Sequence, residues 1–360
     1  MIIGLVKEVL NHEYRTALLP VHVEALRDAG HTVLVQSGSG VGSGYTDHDY
    51  REHGAHVMIK AADIWHRAQM MVKVKQPVSR EIKNIRRDQI VITYFHFAAN
   101  PPLMRAVRER KCIAIAYETI QLDNGSLPLL TPMSEIAGRM SVHEGAKFLE
   151  EPMKGRGILL AGVPGVAPAK VVVLGGGVVG SNAAKMASGL GANVSILDIN
   201  LERLRYLDDV MPANVITLMS NAENIRNEVC SADLLIGAVL IPGARTPCLV
   251  SRKLVAQMKK GAVIVDVAID QGGCIETSRP TTHEKPSYIV DGVVHYCVTN
   301  MPGAVAHTSS KALTNATFPF ILQIANKGWD RAAMENSAIK RGLNIVRGKV
   351  VHPNLPKSSR

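Results

Sequence analysis

The stretch Lys170-Val-Val-Val-Leu-Gly175-Gly-Gly177-Val-Val-Gly180 decides the fold of this 360-residue chain. An apolar run leads into glycines that match the pattern G-x-G-x-x-G. The next apolar run ends in Asp198, 18 residues after Gly180. A strand, a glycine-rich turn, a helix and an acidic residue in this order are typical of a dinucleotide-binding unit.

Each residue of this motif has a predicted role. Gly175 would form the tight turn, Gly177 would let a pyrophosphate approach the backbone, and Gly180 would let the helix pack against the strand. Asp198 would accept hydrogen bonds from the adenosine ribose and repel a 2′-phosphate, which favours NAD over NADP. Arg203 nearby leaves the cofactor preference open, and a purely structural glycine turn is the alternative interpretation.

Apolar runs alternate with helical patterns on both sides of the motif. The predicted strands are residues 2–6, 32–36, 70–75, 90–95, 112–117, 170–174, 193–197, 215–219, 234–239, 262–267 and 293–299. Helical patterns separate several of them, which predicts mostly parallel sheets with covered faces. The predicted fold class is α/β, with two doubly wound, Rossmann-like domains.

Two long helical segments, residues 134–149 and 308–327, are predicted to join the domains. The first would lead the chain into a second domain, and the other would return it. We therefore predict an NAD-binding domain of residues 131–305, inserted into a substrate domain made of residues 1–130 and 306–360.

The net charge of +10 raises the question of a nucleic-acid partner. Residues 131–305 hold 16 basic and 16 acidic residues, whereas residues 306–360 hold 9 basic and 2 acidic ones. The surplus is therefore mostly C-terminal, and a solvated surface or subunit contact is favoured over nucleic acid.

The five cysteines form no C-x-x-C pair, which predicts reduced thiols in a cytosolic protein. No apolar run reaches 18 residues, and the N-terminus predicts a strand rather than a signal peptide.

Several charged residues lie at or near the ends of predicted strands, where a doubly wound sheet places its site. Lys73 and Lys75 point to one sheet face, and His96 ends the run 90–95. Asp270 follows the run 262–267, and Arg15 lies in the loop after the first strand. Each of them, taken alone, also fits an ordinary surface or loop position.

A second glycine-rich stretch, Gly38-Ser-Gly-Val-Gly-Ser-Gly44, does not satisfy G-x-G-x-x-G at any three of its glycines. We predict a loop there, with a role at the active site as the alternative.

The order of motifs over roughly residues 1–350 resembles the alanine dehydrogenases. The motifs are residues 1–8 (MIIGLVKE), 11–20 (NHEYRTALLP), 72–77 (VKVKQP), 94–96 (YFH), 116–119 (AYET), 132–141 (PMSEIAGRMS), the glycine motif, 266–273 (DVAIDQGG) and 299–303 (TNMPG). Related folds occur in the nucleotide-binding subunit of proton-translocating transhydrogenase and in saccharopine dehydrogenases.

The resemblance implies reversible, NAD-dependent conversion of L-alanine and water to pyruvate and ammonium. It assigns Arg15 and Lys75 to the substrate carboxylate, and His96 and Asp270 to acid–base catalysis, with His96 expected to titrate near neutral pH. The implied cofactor pocket comprises Ser134, Gly175, Gly177, Val178, Val179, Gly180, Asp198, Arg203, Val239, Leu240, Ile269, Asn300 and Met301. A cytoplasmic homohexamer without a metal or membrane partner is expected.

The chain departs from the usual family pattern at Gln76, Cys297, Ala306 and His307, and has Arg203 where the family often has lysine. The named catalytic positions are unchanged. Two alternatives stay open. One is another enzyme of the same fold, either an amino- or imino-acid dehydrogenase or a transhydrogenase-like protein, and the other is a non-catalytic relative that senses nucleotides or binds nucleic acid.

Overall fold

A computed structural model describes residues 1–239 and 246–356. The chain divides into two compact units. The first contains residues 1–133 and the chain from residue 303 onward, and the second contains residues 134–302. The predicted boundaries, after residues 130 and 305, lie close to this division.

Strands and helices alternate along most of both units. The strands are β1 (Ile2–Leu5), β2 (Thr32–Gln36), β3 (His56–Met58), β4 (Met70–Lys75), β5 (Ile90–Tyr94), β6 (Ile113–Ala116), β7 (Lys170–Leu174), β8 (Asn193–Asp198), β9 (Val215–Met219), β10 (Leu234–Gly237), β11 (Val263–Asp266), β12 (Ser287–Val290), β13 (Val293–Tyr296), β14 (Leu343–Val346) and β15 (Lys349–Val350). The helices are α1 (Pro20–Asp28), α2 (Asp47–Glu52), α3 (Ala61–Arg67), α4 (Ser79–Ile82), α5 (Pro101–Glu109), α6 (Thr131–Phe148), α7 (Val178–Gly189), α8 (Leu201–Val210), α9 (Ala222–Ser231), α10 (Arg252–Val255), α11 (Ala306–Lys327), α12 (Trp329–Glu335) and α13 (Ser337–Gly342).

The first unit is built on a sheet with the strand order β15-β14-β6-β5-β4-β1-β2-β3. Strands β1 to β6 are parallel, and β14 and β15 are antiparallel at one edge. Side chains of β4 alternate between two buried clusters, with Met70 and Val72 in one and Met71 in the other. Because both faces of the sheet are covered, the central strands read as continuous apolar runs.

The second unit has a sheet with the strand order β12-β13-β11-β10-β7-β8-β9. All neighbours are parallel except β12 and β13. The strand order reverses next to β7, so that β7 is the first strand of a doubly wound sheet. The α/β class and the two doubly wound sheets are as predicted.

The sequence analysis missed four short strands, β3, β12, β14 and β15. Both missed hairpins have two-residue turns with positive φ: Asp291-Gly292 between β12 and β13, and Arg347-Gly348 between β14 and β15. Asp-Gly is a recognised signal for such a turn. The missed strands are short and lie toward the sheet edges, where apolar patterning is weak.

The long helix α6 begins at Thr131 and contains the division between the units, and α11 belongs to the first unit.

All five cysteines are free thiols; three are buried, and Cys248 is exposed. No helix among the described residues is long and apolar enough to span a membrane. Within residues 1–239 and 246–356, no three His, Cys, Asp or Glu side chains cluster in a way that could hold a metal ion.

Candidate active site

Four neighbouring strands of the first unit lead to polar side chains at the same edge of the sheet. Arg15 lies in the loop after β1, and Lys75 is the last residue of β4. His96 and Glu118 lie just beyond β5 and β6. These strands are parallel neighbours in the order β6-β5-β4-β1, so their carboxyl ends face one edge. In doubly wound folds this edge carries the ligand site.

Arg15 is held in place by Glu13, two residues before it. The guanidinium donates from Nε to Glu13 Oε1 at 2.7 Å and from Nη2 to Oε2 at 2.5 Å. Its Nη1 lies 3.0 Å from the sulfur of Met133. Both charged side chains are buried. The two-pronged pairing fixes the plane of the guanidinium, which is the geometry that recognises a carboxylate.

A buried ion cluster lies directly before Lys75. Lys73 is fully buried, with Nζ 3.1 Å from Glu8 and 3.0 Å from Glu81. The other oxygen of Glu8 accepts the backbone N–H of Val74 at 2.7 Å. Lys73 is therefore not part of a solvated edge, which was its alternative interpretation. The cluster fixes the end of β4 and engages Lys73, whereas Lys75, the last residue of the strand, is half-buried.

His96 has a backbone conformation that is uncommon for a residue with a side chain, with φ 52° and ψ 42°. Glu118 holds it there, because Oε1 accepts the backbone N–H of His96 at 2.6 Å and Oε2 accepts that of Phe95 at 3.2 Å. The imidazole stacks on the ring of Tyr94, with a centroid distance of 5.8 Å. Strained residues that the surroundings hold in place are common at functional sites.

The ionisation of His96 differs from the expectation of a group that titrates near neutral pH. His96 is exposed as a residue, yet the protein around its ring dehydrates the ring, and the charge of Lys75 opposes protonation. Together they lower the pKa of His96 to about 4. Burial instead raises the pKa of the Glu118 carboxyl to about 7, against the opposing effects of backbone hydrogen bonds and Lys75. Of these two groups, Glu118 is the one whose pKa lies near neutrality.

In the second unit, the glycine motif joins β7 to α7. At two of its positions, Gly175 and Gly180, a side chain would not fit. A Cβ on Gly180 would lie 1.8 Å from the carbonyl oxygen of Gly175, and Gly175 itself has φ +100°. A Cβ on Gly177 would meet nothing within 4 Å. The turn and the packing therefore require glycine, and open space lies before the α7 N-terminus, where Val178 and Val179 begin the helix. An anion such as a pyrophosphate fits this arrangement.

Asp198 and Arg203 lie beside the motif. Asp198 ends β8, and its carboxylate accepts the backbone N–H of Gly176 at 2.6 Å and that of Asn200 at 2.8 Å. Arg203 Nε donates to the carbonyl oxygen of Gly176 at 2.6 Å. The two side chains bind the N–H and C=O of one glycine, so they shape the turn in addition to any contact with a ribose.

Ser134 also belongs to the second unit, near the start of α6. Gly138 lies one turn further on the same helix face, and a Cβ there would be 2.2 Å from the carbonyl oxygen of Val179. This close approach of α6 to α7 brings the face that carries Ser134 toward the glycine turn.

The remaining predicted cofactor residues lie beyond the ends of other strands of the second unit. Val239 follows β10, and buried Ile269 lies next to exposed Asp270 in the short helix Val267–Gln271 after β11. Asn300, with φ 58°, and buried Met301 follow β13. Leu240 lies outside the described residues.

Asp266 anchors the segment that carries Ile269 and Asp270. It is buried at the end of β11 and accepts the backbone N–H of Cys274 at 3.1 Å. Burial raises the pKa of Asp266 to about 6, against hydrogen bonds from Ser278 and the backbone. Its carboxylate therefore connects the two ends of this segment.

Comparison with known proteins covers nearly the whole chain. Residues 4–137 match the family model "Alanine dehydrogenase/PNT, N-terminal domain", and residues 141–353 match "Alanine dehydrogenase/PNT, C-terminal domain". The chain belongs to the alanine dehydrogenase family. An alanine dehydrogenase of Methanococcus maripaludis is 54% identical over 359 residues, which are 99% of this chain and 96% of that protein.

Two solved structures extend this comparison. An L-alanine dehydrogenase superposes with a TM-score of 0.95 at 53% identity, covering 98% of this chain and 97% of that one. A transhydrogenase from Sinorhizobium meliloti superposes with a TM-score of 0.84 at 25% identity, covering 99% of this chain and all of that one. The chain is thus far more similar in sequence to this alanine dehydrogenase than to this transhydrogenase.

The structure adds residues to the site that sequence reasoning did not assign. Glu118, Glu13 and Glu8 each contact a residue at the carboxyl edge, or the backbone next to one. Glu118 follows an apolar strand, as His96 does, so its position along the chain was a usable signal. Glu13 and Glu8 carried no such signal, because their partners become apparent only in the folded chain.

Proposed function

We propose that this protein is an NAD-dependent L-alanine dehydrogenase. It converts L-alanine, NAD⁺ and water to pyruvate, ammonium, NADH and a proton, and it runs in both directions. The observation that carries the proposal is the array of Arg15, Lys75, His96 and Glu118 at one sheet edge, in a chain that matches alanine dehydrogenases over its whole length.

The glycine turn of the second unit fits NAD. The open space at Gly177 would admit a pyrophosphate, and the N-terminus of α7 would supply the backbone N–H groups that hold it. Asp198 would bind the adenosine ribose and disfavour a 2′-phosphate, while Arg203 supports the turn through Gly176. When bound, NAD⁺ supplies the hydride acceptor. Ser134, Val239, Ile269, Asn300 and Met301 would complete this pocket.

The first unit would bind the substrate carboxylate. Arg15 offers a guanidinium of fixed orientation, and Lys75 a second positive charge. Oxidation of the α-carbon leaves an iminium carbon, which must gain water and release ammonia. His96, neutral at physiological pH, can accept the proton of the attacking water and return it to the departing nitrogen. An incoming carboxylate offsets the charge of Lys75, which raises the pKa of His96 and strengthens it as a base.

Asp270 is assigned the second acid–base role by the resemblance to the family. A carboxylate there would stabilise the positive iminium and orient the water. Glu118 would keep His96 in its strained backbone conformation.

The alternative functions have less support. The transhydrogenase above is only 25% identical. In the basic C-terminal segment, Arg341 pairs with Asp123 at 2.7 Å and Arg347 with Asp88 at 2.6 Å. These pairs bring acidic side chains from other parts of the chain next to the C-terminal basic residues, so the local positive charge of that segment is lower than its own composition gives. We also propose a homohexamer in the cytoplasm, as the resemblance implies.

Two measurements test this proposal. NADH absorbance is followed with L-alanine and with a panel of other amino acids, and turnover with alanine is expected to exceed turnover with all others. His96→Ala and Asp270→Asn should abolish turnover while NADH binding, measured by calorimetry, persists. Turnover with a different amino acid alone would refute the substrate, and near-normal activity of either variant would refute that residue's role.

A further inference from the structure

We infer that Ser43 and Ser310 are positioning residues that hold the backbone of Arg15 for binding the substrate carboxylate. This inference rests on the proposed function, because it takes Arg15 as the carboxylate-binding residue. It also gives a role to the second glycine-rich stretch, residues 38–44, which the dinucleotide motif leaves unexplained.

The two serine hydroxyls form a relay that connects the peptide groups on either side of Arg15. Thr16 donates its backbone N–H to Ser310 Oγ at 3.0 Å, and the two serine oxygens lie 2.8 Å apart. Ser43 Oγ donates to the carbonyl oxygen of Tyr14 at 2.9 Å, and the carbonyl oxygen of Ala306 is a more distant acceptor at 3.5 Å. Ser310 then donates to Ser43, so each hydroxyl gives one proton and accepts one bond.

The relay is closed to solvent. Ser43 and Ser310 are fully buried, and Thr16 and Arg15 are nearly so. Buried hydrogen bonds of this kind do not compete with water, and a polar group left without its partner there is costly. The relay therefore constrains both backbone dihedrals of Arg15, while Glu13 fixes its side chain.

The glycines of the stretch permit this approach. A Cβ on Gly42 would lie 2.8 Å from both Cβ and the carbonyl oxygen of Tyr14, so only glycine lets the loop lie against the segment before Arg15. Gly44, with φ +83°, ends the short helix Val41–Ser43 that directs Ser43 inward. The pattern of glycine and serine thus serves backbone packing rather than phosphate binding.

The start of α11 supports the loop from the other side. Ser310 lies in the second turn of this helix, and His307 in the first turn stacks on Tyr45 with ring planes 11° apart. A Cβ on Gly44 would lie 3.0 Å from the His307 ring. His307, one of the departures from the family pattern, therefore packs against the same loop.

The test compares Ser43→Ala and Ser310→Ala with Ser39→Ala in the intact enzyme. Ser39 is buried in the same stretch, but its hydroxyl has no hydrogen-bond partner among the described residues, which makes it a matched control. Each relay variant is expected to raise KM for L-alanine by about tenfold, with KM for NAD⁺ unchanged, because the backbone of Arg15 loses a buried hydrogen bond that holds it for the substrate carboxylate. Ser39→Ala should leave both constants as in the wild type.

The double variant distinguishes a relay from two separate contacts. If the serines act in series, Ser43→Ala with Ser310→Ala raises KM by less than the product of the single effects. Unchanged KM for alanine in both single variants, or fully multiplicative effects, would overturn the inference. If one variant does not fold, the other still gives the comparison with Ser39→Ala. Arg15→Lys distinguishes a failure of this inference from a failure of the proposed function. A normal KM for alanine in that variant would refute the role of Arg15 as the carboxylate-binding residue.

Discussion

Replacement of Glu118 by glutamine tests how the site holds His96. The carboxylate accepts two backbone N–H groups, from His96 at 2.6 Å and from Phe95 at 3.2 Å. Glutamine keeps one acceptor oxygen and turns an NH₂ group toward the other donor, so at least one charge-assisted bond is lost. Such a bond contributes about 1.5–3 kcal/mol. If about 2 kcal/mol of this hydrogen-bond energy serves to keep His96 in position in the transition state, its loss lowers kcat about 30-fold.

The pH dependence gives a second readout. The free-enzyme profile of kcat/KM for alanine should show a limb near pH 7 that belongs to Glu118 and is absent in Glu118→Gln. The pKa of Glu118 in the folded protein lies above its ordinary value of 4.5. The folded state therefore binds this proton more tightly, and the stability that it contributes is lost as pH rises from 4.5 to about 7. Urea unfolding of the variant should lack this dependence.

The assay is NADH formation from L-alanine across the pH range, with Glu109→Gln as the control. Glu109 is an exposed carboxylate of the same unit, and its replacement should change neither kcat nor the profile. A Glu118→Gln enzyme with kcat within threefold of the wild type and with the same limb near pH 7 would refute this reasoning.

Three further substitutions have defined outcomes. Gly180→Ala should abolish NADH binding in calorimetry, since its Cβ would lie 1.8 Å from the Gly175 oxygen, and wild-type affinity would contradict the geometry of the turn. Asp198→Ala should raise kcat/KM for NADP⁺ relative to NAD⁺, because the carboxylate no longer repels a 2′-phosphate; an unchanged ratio would refute this role. Lys73→Met leaves two buried carboxylates without their lysine and should lower the free energy of unfolding in urea by about 3–5 kcal/mol, whereas no loss would mean that Glu8 and Glu81 need no counter-charge.

Sequence patterns predicted the elements that depend on residues close together in the chain. The apolar run before Gly175 predicted β7, and the spacing to Asp198 predicted β8, since both follow from strand–turn–helix geometry. Arg15, Lys75 and His96 could be noted from the sequence as charged residues at or just beyond the ends of predicted strands. These residues lie at one edge of the sheet because their strands are neighbours in it. The order of the strands depends on contacts between distant segments of the chain, which local patterns do not show.

Other features had no local signal. The burial of Lys73 depends on Glu8 and Glu81, which come from separate segments. The relay of Ser43 and Ser310 joins positions 267 residues apart. The lowered pKa of His96 depends on dehydration by the surrounding protein and on the charge of Lys75 at the end of the neighbouring strand, and the residue type alone shows neither. Contacts between distant segments therefore determine the burial and the pKa values of these side chains, and the spacing of residues in the sequence does not predict them.

Product analysis of a reaction started with L-alanine and NAD⁺ tests the central claim most directly. Pyruvate, ammonium and NADH are measured separately in the same sample at several times. The proposed reaction predicts that the three appear in equal amounts, and that adding pyruvate, ammonium and NADH reverses the reaction. NADH formed without matching pyruvate and ammonium, or no alanine-dependent NADH from folded protein that binds NADH, would contradict it.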